Sequence, residues 1–192
     1  MDAAQVLKVL LHGNQLKRTT RTGWAQRGVP LPENVAAHSY GVAYAALLLY
    51  ELVEEPVDLA TVLAMAVLHD LPEGLTTDIP PSVWRFMPSG AKIAAEHHAM
   101  EQITADSSIS SRWMDWWEQL RRNDTAEARL VHDADKIDQY LQAYIYELQT
   151  GNRQLEEFWL KPYDFHYASA RSIYEHLCRI RASQVLAAGE TE

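Results

Sequence analysis

Apolar residues recur along this chain at three-to-four spacing rather than in alternation, so the elements it predicts are helices. Val6, Leu7, Leu10 and Leu11 predict an amphipathic helix over about residues 2–16. The polar, basic stretch from Gln15 to Trp24 follows, and Gly23, Gly28, Pro30 and Pro32 keep the chain irregular up to about Glu33. A long apolar helix is expected from Asn34 to Glu54, ended by Pro56, which has no N–H to donate and restricts the residue before it. Asp58 is placed to cap a further helix, Leu59 to about Leu71, with Pro72 and Gly74 marking its end or a kink. Thr76 to Pro81 reads as a turn, Ser82–Phe86 as a short helical piece, and Ser89 as the start of a helix reaching about Ala105. Beyond a serine-rich joint, Arg112–Arg122 is helical, Asn123 or Asp124 caps a long helix to Thr150, and Gly151-Asn152 stops it. A last helix covers about Phe165–Leu186. With no repeat and no linker between two cores, the pattern predicts an all-α, compact single domain over residues 1–186 and a polar tail over 187–192.

Composition narrows the partners. The 192 residues carry 17 Lys+Arg against 26 Asp+Glu, a net charge of −9. That balance argues against a nucleic-acid polymer, whose binding depends on neutralising many phosphates, while leaving room for a local basic pocket. The lone Cys178 excludes an internal disulfide and a cysteine zinc cluster. The start, Met1-Asp2-Ala3-Ala4, is acidic and does not resemble a secretory signal. The apolar runs Val42–Leu49 and Val62–Leu68 fall short of the roughly 18 residues a membrane span needs. A cytoplasmic protein without a membrane partner is the expectation.

Candidate chemistry centres on His69-Asp70, at the end of the apolar run Leu63 to Leu68. An ionisable pair beside a buried face is unfavourable unless a metal ion or hydrogen-bonding partners compensate it. His38, after Val35-Ala36-Ala37, and Asp135, within the run Leu130 to Ile137, have similar surroundings. Imidazole with carboxylate suits a borderline divalent metal, and such a set leaves positions for water and substrate. Spacing alone does not bring three helices to one point, and a His-Asp dipeptide by itself is weak evidence, more often a structural ion pair or a capped histidine.

The ordered pattern His38 … His69-Asp70 … Asp135 resembles the signature of the HD-domain metal-dependent phosphohydrolases. Further blocks resemble the 5′-deoxynucleotidase branch: Gln15-Leu16-Lys17-Arg18 with Arg21-Thr22-Gly23-Trp24, Pro32 to Ala36 before His38-Ser39, Leu68 to Glu73 with Asp78-Ile79-Pro80, and Ala126 to Val131 before Asp135-Lys136. The resemblance covers about residues 5–150. It implies a helical HD-domain fold, one divalent metal ion (Mn, Co, Zn, Fe or Mg) on His38, His69, Asp70 and Asp135, and hydrolysis of deoxyribonucleoside 5′-monophosphates. It further implies that Glu73 orients or activates the attacking water, that Asp78 lies near the sugar hydroxyl or leaving group, and that Trp24 crowds a ribose 2′-hydroxyl. A homodimer is expected on the same ground.

The chain also departs from that branch. Ala37 stands where relatives usually have an acidic residue, removing a contact that would orient His38. Gly23 stands where bacterial relatives have an arginine, so Arg21 is the expected phosphate partner, with Arg18, Lys17 and Arg27 behind it. His97-His98, His132 and Asp133 read as non-ligating neighbours or surface, Arg121-Arg122 as a solvated helix face, and Trp113, Trp116 and Trp117 as core or interface. Alternatives are an HD-type hydrolase of a triphosphate or cyclic nucleotide, disfavoured by the few Lys and Arg near the motifs; a di-iron oxygenase, which needs more histidine ligands; and a non-catalytic nucleotide-binding module.

Overall fold

In the computed structural model, which describes residues 1–189, ten α-helices and one 3-10 helix account for the ordered elements, and Thr20 and Asn34 form an isolated bridge. The helices are α1 (Ala3–Gln15), α2 (Thr22–Gln26), α3 (Val35–Tyr50), α4 (Leu59–Leu68), α5 (Glu73–Thr76), α6 (Pro81–Trp84), α7 (Ala91–Thr104), α8 (Ser110–Arg122), α9 (Ala126–Thr150) and α10 (Ala168–Gly189); the 3-10 turn is Arg153–Phe158. The all-α expectation holds among the described residues. None of their helices is long and apolar enough to cross a membrane.

The starts are set by side chains that satisfy orphan N–H groups. Asp2 and Gln5 form a reciprocal capping box on α1, Asn34 accepts from the Ala37 amide, and Asp58 accepts from Ala60 and Thr61. Thr125, not Asn123 or Asp124, caps α9 by accepting from the Ala128 amide. Asn123 instead closes α8 in the left-handed conformation that terminates helices. The segment expected to be irregular before Glu33 contains the short α2, while α3 stops at Tyr50, before the boundary expected at Glu54. The last helix runs on through Gly189, and residues 190–192 of the expected tail lie outside the described residues.

Three helices make the centre. Val42, Ala46 and Leu49 of α3, Val62, Met65 and Ala66 of α4, and Leu130, Val131 and Ala134 of α9 share one buried cluster. Alanines let these backbones approach closely, which brings polar residues of the three helices within reach of one another. A second cluster joins Leu16, Val35, Leu68, Leu71, Met100, Ile103 and Trp117, and so fixes α7 and α8 against α4. Trp117 is buried there, with Trp113 and Trp116 packed against core clusters, so the tryptophan segment serves the interior.

The break after α4 matters most for function. Its regular hydrogen bonding ends at Leu68, and tight i-to-i+3 bonds carry Leu71, Glu73 and Gly74 through the turn. Pro72 cannot donate an amide, and Glu73 then opens α5. The helix expected to reach Leu71 therefore ends as His69-Asp70 arrive, turning Asp70 and Glu73 toward a cleft and His69 toward a small chamber that shares Asp70 with it. Also on α9, the buried Asp133 accepts from the amides of His166 and Tyr167 and from His166 Nδ1, docking the segment that leads into α10.

Candidate active site

His38 enters from the first turns of α3, His69 and Asp70 from the end of α4, and Asp135 from α9. The Nε2 atoms of His38 and His69 are 3.3 Å apart. Asp135 Oδ1 lies 3.2 Å from His38 Nε2, and Asp70 Oδ2 lies 3.7 Å from His38 Nε2 and 3.1 Å from His69 Nε2. One atom each from His38, His69 and Asp135 lies within 4.8 Å of the others. Tertiary structure thus gathers four residues that sequence spacing could not bring together.

The second nitrogen of each imidazole is engaged elsewhere. His38 Nδ1 faces Asp138 Oδ2 at 2.8 Å, and His69 Nδ1 faces the Ala66 carbonyl at 2.7 Å. Both partners only accept, so each Nδ1–H donates, and the facing Nε2 atoms are left with lone pairs unless one takes a further proton. Two lone pairs at 3.3 Å beside two carboxylates call for positive charge. The protein's own groups express the same demand: burial opposes protonation of His38, but Asp135 and Asp138 outweigh burial and raise it to about 9. Burial likewise opposes the charges of Asp70 and Asp135, yet His69 and Arg21 hold Asp70, and Lys136 and His38 hold Asp135, far below the usual carboxylate range. A divalent cation fits this donor set in charge and in ligand type.

Around the set lies a cleft of about 350 Å³, with an adjoining chamber of about 80 Å³ lined by His69, Asp70, Asp135, His132 and Arg121. Arg21 reaches into it with Nη1 at 3.3 Å from Asp70 Oδ2. Burial works against its charge, but Asp70, Asp135, Asp78 and Glu73 raise its pKa further and keep it a cation. Glu73, only 3% exposed, also lines the cleft, and its Oε2 has no hydrogen-bond partner among the described residues. Burial first, then the Asp70 and Asp78 carboxylates, push Glu73 up to about 9. Asp78 lines the cleft and accepts from the Thr22 amide at 2.7 Å, so it both caps α2 and pins the Arg21 loop.

The remaining expected residues divide. Trp24 forms part of the cleft wall but is 2% exposed, wedged against Tyr146 and Phe158 with its indole N–H donated to Glu33 at 2.9 Å. Arg18 does not reach the cleft. Its guanidinium is exposed and folds back onto Asn14 and Gln15 of α1, so it is corrected to a surface residue.

Sequence reasoning passed over several residues of the site. Asp138, one turn beyond Asp135, provides the carboxylate contact to His38 that Ala37 does not, and Gly41 leaves the space for it. The spacing of Asp135 and Asp138 on one helix was the available signal. Lys136, adjacent to Asp135, places its ammonium 3.0 Å from Asp135 Oδ2 and lines the cleft. Lys92 and Arg121 line it too, which overturns the view that few cations surround the motifs and that Arg121 is a solvated face. Their placement depends on how α7 and α8 pack, which no local pattern discloses.

A family model described as an HD domain matches residues 13–174. The chain is 31% identical over 180 residues to the 5′-deoxynucleotidase HDDC2 of Danio rerio, with 92% of this chain and 88% of that protein covered. It is 37% identical over 142 residues to the 5′-deoxynucleotidase HDDC2 of Dictyostelium discoideum, covering 70% and 74%. Among solved structures, a conserved hypothetical protein from Pyrococcus furiosus superposes with a TM-score of 0.78 at 34% identity, covering 92% of this chain and 99% of that one. A predicted metal-dependent phosphohydrolase from Magnetospirillum magnetotacticum shares the fold, with a TM-score of 0.68 at 21% identity and 93% of each chain covered.

Proposed function

The chain belongs to the HD-domain family, and on that footing we propose that it is a metal-dependent phosphomonoesterase converting deoxyribonucleoside 5′-monophosphates to deoxynucleoside and phosphate. The observation that carries the reading is the convergence of His38, His69, Asp70 and Asp135, the two aspartates of which line a cation-rich cleft. The relatives named 5′-deoxynucleotidases supply the substrate class. A cleft near 350 Å³ sits at the small end of the roughly 300–1,000 Å³ common for ligand sites, which suits a mononucleotide.

His38, His69, Asp70 and Asp135 would hold the divalent ion. When bound, such an ion offsets phosphoryl charge and makes an attacking water more acidic. Arg21 binds phosphate oxygens through charge-assisted hydrogen bonds while Asp70 keeps the guanidinium in place. Glu73 orients the attacking water and takes its proton. Added positive charge in the site brings its carboxyl down from about 9 toward the neutral range in which a general base works best. Asp78 contacts the sugar or the departing 5′-oxygen with the carboxylate oxygen that Thr22 does not engage. Trp24 closes the sugar side of the cleft. Holding substrate, water and acid–base groups in one geometry supplies the rest of the rate.

The test is phosphate release from a panel of deoxy- and ribonucleoside 5′-monophosphates with Mn²⁺, Co²⁺, Mg²⁺ or no added metal. Turnover of the deoxy substrates that requires metal supports the proposal; turnover restricted to nucleoside triphosphates, the reading favoured by the extra cations Lys92, Arg121 and Lys136, refutes it. A cytoplasmic homodimer is the setting this reading carries, and light scattering and cell fractionation check it.

A further inference from the structure

Glu96 is a carboxylate buried to 1% exposure, and it faces two cations from different helices. Lys92 Nζ lies 2.5 Å from its Oε1, and Arg121 Nη2 lies 3.0 Å from its Oε2. A buried carboxylate demands compensation, and a single cation would provide it. Here each oxygen holds one, and both cations line the cleft. Arg121 is stiffened further by stacking over Trp117 at 4.9 Å. Its contact with Glu96 occupies one part of the guanidinium fork and leaves other N–H donors free. Arg121 is also shared between the cleft and the small chamber bounded by His69, Asp70 and Asp135. Arg122, next in sequence, is exposed and pairs only with Glu118 and Asp124 among the described residues.

We propose that Arg121, positioned by the buried Glu96, is a phosphate-binding residue that takes the transferred phosphoryl group in the chamber beside the metal-ligating residues. The proposal deepens the phosphomonoesterase reading and rests on it for the phosphoryl group. Two guanidiniums, Arg21 from the α1–α2 loop and Arg121 from α8, then share the oxygens of one phosphate. Their different origins fix its orientation better than either fork alone. Glu96 is the positioning residue: it restricts Arg121 before any ligand arrives, so less side-chain entropy is lost on binding.

The experiment is isothermal titration of inorganic phosphate into Mn²⁺-loaded protein, comparing wild type with Arg121→Gln, Arg121→Lys, Glu96→Gln and the neighbouring control Arg122→Gln. Removing a charge-assisted partner weakens phosphate by roughly ten- to a hundredfold in Arg121→Gln, while Mn²⁺ affinity and the Arg122→Gln result stay at wild type. Arg121→Lys recovers part of the loss, and Glu96→Gln, if it folds, falls between them. Unchanged phosphate affinity in Arg121→Gln, or an equal loss in Arg122→Gln, overturns the proposal, as does a parallel collapse of Mn²⁺ affinity. Because phosphate binding needs no turnover, inactivity toward every nucleotide would sink the enzymatic reading without deciding this one.

Discussion

Replacing Gly41 with alanine tests the site through a residue that touches neither metal nor substrate. A Cβ at this position would lie 2.0 Å from Asp138 Oδ1 and 2.7 Å from its Cγ, against the roughly 3.5 Å of ordinary nonbonded contact. The clash is with the end of a side chain, so Asp138 swings away and the helices keep their places. What is lost is the 2.8 Å hydrogen bond to His38 Nδ1, which holds the imidazole in the tautomer that leaves Nε2 free. Alanine in a helix interior is favoured over glycine by about 1 kcal/mol, which offsets part of the roughly 1–3 kcal/mol lost with the hydrogen bond of the buried imidazole. The expected result is a melting temperature within a few degrees of wild type, combined with Mn²⁺ binding weakened about ten- to a hundredfold. That corresponds to roughly 1.4–2.8 kcal/mol. Calorimetric titration of Mn²⁺ into chelator-treated protein measures it. Asp138→Ala should lose as much, the double variant no more than either alone, and Asp138→Asn less, because its amide oxygen still accepts the hydrogen bond. If Gly41→Ala binds Mn²⁺ within about twofold of wild type, the orienting role assigned to Asp138 is wrong.

Other expectations follow from the same geometry. Glu73→Gln keeps Mn²⁺ affinity but lowers turnover roughly 10²–10⁴-fold; near-normal kcat removes Glu73 from the proton transfer. The same variant reports on charge in metal-free protein. Glu73 is raised from 4.5 to about 9 in the fold, so its stabilising neutral form is fully favoured below 4.5, and that advantage is lost as pH rises through about 9. The stability of Glu73→Gln relative to wild type should therefore climb between those limits, and a pH-independent difference in denaturant midpoint contradicts the burial argument. His38, raised to about 9, must give up its extra proton to bind an ion. Mn²⁺ affinity should fall by up to about tenfold for each pH unit below that value, and titrations giving equal affinity at pH 6.5 and 8 would disagree. Asp133→Ala leaves two buried-side amides unpaired and should destabilise the fold by about 2–4 kcal/mol in urea unfolding. Mn²⁺ affinity should persist under conditions where the variant is folded.

Much of this protein was legible before folding was considered. Helical periodicity, the cap Asp58, and the stop at Gly151 are local properties, because a helix is specified by side chains within a turn or two of one another. Thr125 was missed as a cap because Asn123 and Asp124 are equally good formers of such turns, and only the left-handed conformation of Asn123 assigns it to the preceding helix. His38, His69, Asp70 and Asp135 stood out as polar residues interrupting apolar runs, and the ordered motifs around them named the chemistry. Arg18 shows the limit of reading charge from sequence: it and Arg21 sit in one basic stretch, yet the chain turns between them and only Arg21 meets Asp70.

The chain by itself determined its helices, the residue types able to bind a divalent cation and the family to which it belongs, since each is written in contiguous residues or in their order. Packing decided what meets what. It set the 3.3 Å approach of two imidazoles, paired Asp138 with His38 through the gap at Gly41, and carried Lys92 and Arg121 to the cleft on the buried Glu96. Such contacts join residues on different helices, and their distances depend on how closely apolar faces interlock rather than on any spacing along the backbone.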